Sequence, residues 1–313
     1  MDISEQISVT QEEIEPLLEV TPELVQKRRS QGRIIFDRFI RNRTAVGGAL
    51  FLVLLFVFCF FGPAITGHNN PNAVHVTNVI DTLTGPSLKY PFGTDDVGRD
   101  QLARAMVGGQ TSLLVGLTSM LMGILFGIGV GSFAGFYGGA VDNILMRFTD
   151  VVLAIPLYLL LFVLSASFTD GSPRSVVILI ALVSWLYTAR LVRGEFLALK
   201  EREYVLAART IGARNFRLMF RHILPNAAGP IIVSATLLIG NNIILESVLS
   251  YFGFGIQPPV ASWGSMIETG QNLIDVQPLL VFIPGLLIFF TVLSFNLVGD
   301  GLRDALDPYM TER

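Results

Sequence analysis

Six apolar runs, each about as long as a bilayer is thick, leave this chain few folds to choose from. They lie at about residues 45 to 66, 110 to 137, 147 to 168, 175 to 193, 227 to 252 and 278 to 299. A hydrocarbon core roughly 30 Å thick takes about 20 residues of helix, so each run is long enough to cross once. Hydrophobic residues make up 51% of the chain and charged ones 15%, with mean hydropathy +0.59, which excludes an ordinary soluble domain. The expectation is an all-α membrane protein with six transmembrane helices. Because 44 residues precede the first run, it reads as a retained anchor and not a cleaved signal peptide. The single cysteine, Cys59, lies inside that run and implies no disulfide framework.

Charge placement supplies the orientation. Of the 22 Lys and Arg residues, 18 fall on one side of the six runs, and the other side receives Lys89, Arg99, Arg104 and Arg174. The positive-inside rule therefore places both termini in the cytoplasm, with the basic stretch between the fourth and fifth runs. The expected organisation is a cytoplasmic tail and interfacial helix at 1–44, a first span at 45–66 and an extracytoplasmic loop at 67–109. A core of five spans follows at 110–300, containing a cytoplasmic loop at 194–226, and a cytoplasmic tail closes the chain at 301–313. Residues 1–24 carry Asp2, Glu5, Glu12, Glu13, Glu15, Glu19 and Glu23 without a basic residue, the bias of a solvated tail. From Lys27 to Arg43 cations alternate with Ile34, Ile35, Phe36, Phe39 and Ile40, which suits a helix lying among lipid headgroups.

Within the second run Gly123, Gly127, Gly131 and Gly135 recur every fourth residue and share one helix face, the pattern of close helix packing. Polar residues inside the runs are few: Asp150, Asn241, Asn242, Glu246 and Asn296. Asp150 follows Arg147 at a spacing that suits an intrahelical ion pair. Asn241 and Asn242 are expected near the midplane and Glu246 near the outer end of its span, within reach of water. Together these three form a candidate translocation path.

The basic loop has its own organisation. Glu203 opens a short helical stretch, Ala207 and Ala208 present a small surface, Gly212 permits a turn, and Pro225 ends a second stretch after Ile223 and Leu224. Helices this short need a partner surface to persist. Here the sequence resembles the permease subunits of ATP-binding-cassette importers, in the branch that handles dipeptides, oligopeptides and nickel. That family's loop signature is Glu-Ala-Ala, three residues, Gly, a spacer and Ile-x-Leu-Pro, and Ala207, Ala208, Gly212 and Pro225 fall on it. Leu206 stands at the signature's Glu position, with Glu203 one turn earlier as the candidate substitute, and Ile223 adjoins Leu224 without an intervening residue. The resemblance also rests on YPFGTDDVGRD from Tyr90 to Asp100, on Arg147 to Asp150 with Pro156 following, and on Glu246 to Pro259 with Ser262-Trp263-Gly264. The tail from Asn296 to Pro308 belongs to it too, so it covers the chain from about residue 28 onward.

What the resemblance implies is a type I importer permease core in a prokaryotic plasma membrane, with the loop as a cytoplasmic coupling helix-turn-helix at Glu203, Ala207, Ala208, Gly212, Ile223, Leu224 and Pro225. It implies a heterodimer with a second homologous permease, two ATP-binding subunits holding ATP and Mg, and an extracytoplasmic substrate-binding protein, all in contact with membrane lipid and not nucleic acid. The chain itself is expected to be non-catalytic and without cofactor. Its three lysines, Lys27, Lys89 and Lys200, stand in no phosphate-binding loop, and His68, His75, His222 and Cys59 have no metal-site spacing. Peptides are the expected cargo, with a nickel complex or another solute as the alternative. A secondary transporter would need carboxylates coupled to a substrate site, and only Glu246 offers itself. A membrane-embedded enzyme would need an acid-base or nucleophile constellation, and none is evident.

Overall fold

The computed structural model describes residues 31–72 and 82–307. The acidic stretch, Lys27, His75 and Pro308 lie outside the described residues. The basic amphipathic segment forms α1, Gln31–Arg41, with Phe36 and Ile40 exposed. Asn42 ends it and caps the next helix, its side chain accepting from the Ala45 backbone N–H at 3.2 Å. The first apolar run is then divided: α2, Arg43–Phe60, and after a turn at Phe61 the short α3, Gly62–Thr66, with Pro63 in its first turn.

The loop that follows is shorter than the expected 67–109. Asp100 caps α4, Gln101–Tyr137, by accepting from the Leu102 N–H at 2.9 Å, so this helix begins nine residues before the apolar run. Polar Gln101 and Arg104 lowered the local hydropathy, yet both are buried against the protein. A larger correction concerns the third run. It is not one straight span over 147–168 but two helices, α5, Gly139–Ala154, and α6, Leu157–Phe168, that meet at 89°. Pro156 is the cause: it lacks an N–H and drives Ile155 out of the α region, to ψ 132°.

Ser172 caps α7, Pro173–Leu199, and two brief helices follow, α8, Glu203–Thr210, and α9, Asn215–Arg217, which widens into a π turn at Leu218–Ile223. Next come α10, Ala228–Tyr251, α11, Trp263–Gly270, and α12, Leu279–Leu306. The boundaries expected at 194 and 301 both fall inside helices, because α7 and α12 continue past their first charged residues. Charge ends an apolar run but does not end a backbone hydrogen-bond ladder. Among the described residues the only β pairing is one bridge, Thr94 to Asp100. Five helices, α2, α4, α7, α10 and α12, are long and apolar enough to cross a membrane, and the bent α5–α6 pair makes a sixth element of that kind.

The seam of the bundle runs between α4 and α7. A Cβ built on Gly123 would sit 2.9 Å from Ser184 Cβ, on Gly127 2.5 Å from Thr188 Cβ, on Gly131 2.5 Å from the Ala189 carbonyl oxygen, and on Gly135 2.6 Å from Phe196 Cβ. The glycine stripe thus brings the two backbones into direct contact, which is how helices associate where lipid removes the hydrophobic drive. Ion pairs join α7 to α5: Arg193 grips Asp142 through Nε and Nη2, the latter at 2.6 Å, and Arg190 Nη2 meets Asp150 at 2.6 Å. Asp150 therefore pairs across helices and not with Arg147, because the bend turns the α5 face toward α7.

Candidate functional site

The two brief helices between α7 and α10 form a hairpin whose inner side is fully engaged. Val205 and Ala208 from α8, and Leu218, Met219 and Ile223 from the second arm, share one core with Phe136 of α4, Val192 and Phe196 of α7, and Ile231 of α10. Eight residues make a helix that is marginal alone, so this core holds it in place. Gly212 sits at φ +86°, the left-handed stop that ends α8, and the Ala213 N–H closes on the Ala208 carbonyl at 3.0 Å. The base of the hairpin thereby packs against the ends of three long helices at once.

The outer side is different. Glu203, Ala207, Gly212 and Pro225 are exposed, Leu224 is half-buried, and Ala208 and Ile223 point inward, so the signature residues divide between base and surface. Two residues not marked by the signature dominate the outer face: Ile211 is 87% exposed and Phe216 69%. Leu206 and Tyr204 are exposed on the same hairpin, as are Arg209, Arg214, Arg217 and Arg221, with the Arg209 guanidinium over the Phe136 ring at 6.0 Å. Partial desolvation pushes the Tyr204 hydroxyl above its ordinary pKa, against the opposing pull of the Arg202 cation. The sequence signal for Ile211 and Phe216 was their position, since each is a large apolar side chain within four residues of the turn glycine.

Inside the membrane part, the three residues of α10 expected to form a path have separate surroundings. Glu246 is fully buried and does not reach water, contrary to the sequence expectation. Ser112 Oγ of α4 donates to its Oε2 at 3.0 Å and Ser250 Oγ to its Oε1 at 2.8 Å. Ser112 Oγ also accepts the Trp263 N–H at 3.2 Å, and Ser250 Oγ the Ile256 N–H at 3.1 Å, so Glu246 ties the 253–263 segment to α4. Asn242 is fully buried as well, accepting from Ser184 Oγ of α7 at 2.8 Å and donating to Ser119 Oγ of α4 at 2.9 Å. Asn241 alone is exposed, on the rim of a groove of about 390 Å³ between α7, α10 and the first turn of α6, where Tyr158 and Tyr187 also stand. Asn241 and Asn242 therefore border one groove, while Glu246, one turn further along, belongs to a structural network. Among the described residues no three His, Cys, Asp or Glu side chains gather into a cation-binding group.

Against known proteins, residues 127–312 match the family described as binding-protein-dependent transport system inner membrane component. Residues 30–86 match the N-terminal TM domain of oligopeptide transport permease C. The chain is 40% identical to the oligopeptide transport system permease protein OppC of Bacillus subtilis over 87% of each chain. It is similar at 39% identity to the glutathione transport system permease protein GsiD of Pectobacterium atrosepticum, over 90% of this chain and 92% of the relative. With the dipeptide transport system permease protein DppC of Alkalihalophilus pseudofirmus the identity is 38%, over 90% and 91%.

Proposed function

Because this chain belongs to the family of binding-protein-dependent transport system inner membrane components, the multi-pass permease subunits of ATP-binding-cassette importers, we propose that it carries peptides through the plasma membrane. Its relatives of similar length act on oligopeptides, dipeptides and glutathione, and the peptide amide is the chemistry these cargoes share. The importer's ATPase and its substrate-binding protein are partners of the complex. In this reading a second homologous permease pairs with the chain, two ATPase subunits hold ATP and Mg, and a binding protein delivers cargo from outside. Both termini and the α8–α9 hairpin lie in the cytoplasm, on the side where Lys and Arg concentrate. The chain contributes no catalytic group of its own.

The observation that carries the reading is the two-sided hairpin, with Ile211 and Phe216 exposed among arginines of the same loop on a base packed into α4, α7 and α10. An ATPase cleft seated on Ile211 and Phe216 would move the hairpin when ATP closes the ATPase pair, and the three helix ends would follow. Carrying a two-state equilibrium from 1:99 to 99:1 takes roughly 5.5 kcal/mol of differential binding, which a rigid base can transmit and a floppy loop cannot. The test is ATP-driven peptide uptake by the full transporter in proteoliposomes. Phe216→Asp is expected to lower uptake at least about tenfold and to weaken retention of the ATPase subunits, as truncation of a buried aromatic anchor does. Gly212→Val, which has room for its Cβ but places a β-branched residue at φ +86°, should uncouple hydrolysis from uptake. Normal uptake and ATPase retention in both variants would refute coupling through this hairpin.

A further inference from the structure

The bend at Pro156 turns the first turn of α6 against α7 and α10 at positions near the middle of both helices. The groove formed there differs from a groove of about 740 Å³ whose walls are apolar from end to end, as at Phe126 and Phe133, and from one of about 620 Å³ that carries Arg303 and Asp307. Here Tyr158 is 45% exposed and Tyr187 61%, and Asn241 is exposed in the same groove. Among the described residues none of these three side chains makes a hydrogen bond. A carboxamide exposed near the middle of a span is left without a hydrogen-bond partner unless something polar meets it, so Asn241 signals a polar occupant. No Lys, Arg, Asp or Glu lines the groove.

We propose that this groove holds the peptide main chain of the cargo in transit, with the Asn241 carboxamide bonding a peptide amide and the Tyr158 and Tyr187 hydroxyls flanking it. This rests on the reading of the chain as a peptide permease and adds the place of contact. A carboxamide presents one acceptor and two donors, the complement of a peptide N–H and C=O. The absence of charged residues leaves side-chain identity and charge unread, which suits a passage that must accept many sequences. About 390 Å³ lies within the range of small-ligand clefts and admits a short stretch of main chain, not a folded partner.

The test places a photoreactive phenylalanine analogue at position 187, or at 241, in the full transporter reconstituted with its binding protein, ATPase subunits and a radiolabelled tripeptide. Ile178, exposed on α7 away from the groove, carries the analogue as control. Light is expected to attach tripeptide at 187 and 241 during turnover, displaced by excess unlabelled tripeptide, and none at 178. Asn241→Leu is expected to lower tripeptides imported per ATP roughly tenfold, with Asn241→Gln recovering most of the loss. Import by the unaltered transporter with capture only of the second permease at 187 and 241 would show an interface between subunits and overturn this inference while leaving the peptide reading intact. Failure of the unaltered transporter to import any peptide would overturn both.

Discussion

Gly131→Leu is expected to remove the folded chain from the membrane almost entirely. A Cβ at this position would lie 2.5 Å from the Ala189 carbonyl oxygen, 2.7 Å from Val192 Cβ and 3.0 Å from the Arg193 N–H nitrogen. Two of these three atoms are backbone of α7, so no rotamer change relieves the clash and the helices must part. Separation at Gly131 also opens the contacts at Gly127 and Gly135 on the same face, and it shifts Arg193, which pairs with Asp142. Overpacking in a well-packed site costs about 1 to 3 kcal/mol, and a four-glycine seam leaves little room to spread the strain. Gly129→Leu is the internal control, because nothing lies within 4 Å of its Cβ. The measurement is the monodisperse fraction recovered by size-exclusion chromatography in mild detergent. Recovery of Gly131→Leu at the level of Gly129→Leu would mean that the α4–α7 seam does not hold the bundle together.

The contrast between these two glycines shows which part of the fold was legible from residue order. A period of four places Gly123, Gly127, Gly131 and Gly135 on one face whatever the tertiary structure, so the stripe is visible before its partner helix is known. The bend at Pro156 was harder to read, because apolar residues on both sides of it make one run of span length, and hydropathy carries no information about direction. The start of α4 was missed for the opposite reason: Gln101 and Arg104 look like loop residues by polarity, yet the Asp100 cap begins a helix that buries them. In the α8–α9 hairpin the turn at Gly212 was legible from its residue type. Ile211 and Phe216 were not singled out, since exposure is decided by how Val205, Leu218 and Ile223 dock on the bundle. The polar residues of α10 taught the same lesson. Asn241 and Asn242 are neighbours in sequence a hundred degrees apart on a helix, one exposed in the groove and the other buried at its wall in a serine-bonded contact.

Glu246→Leu is expected to cost about 2 to 3 kcal/mol of stability and to loosen the segment that carries Trp263. The volumes are similar, so the loss comes from hydrogen bonding and not from a cavity. Removing the carboxylate leaves the Ser112 and Ser250 hydroxyls without their acceptor in a place that water does not reach. Each hydroxyl can turn to a carbonyl of its own helix, but it then presents a different lone pair to the N–H it accepts, from Trp263 in one case and Ile256 in the other. Glu246→Gln separates the two contributions. The amide keeps one acceptor oxygen, and its NH₂ can donate to a serine that reverses its role, so the network survives with one bond reoriented. The expected order is therefore wild type, then Gln, then Leu, read from the temperature at which the detergent-solubilised protein aggregates. Trp263 gives a local reading in a Trp185→Phe background: its indole N–H donates to the Ala105 carbonyl at 2.9 Å in a fully buried site. In the Leu variant its emission is expected to shift to longer wavelength and become open to a soluble quencher, while in the Gln variant it stays protected. Equal stability and equal protection in all three proteins would show that the serines hold the 253–263 segment without the carboxylate.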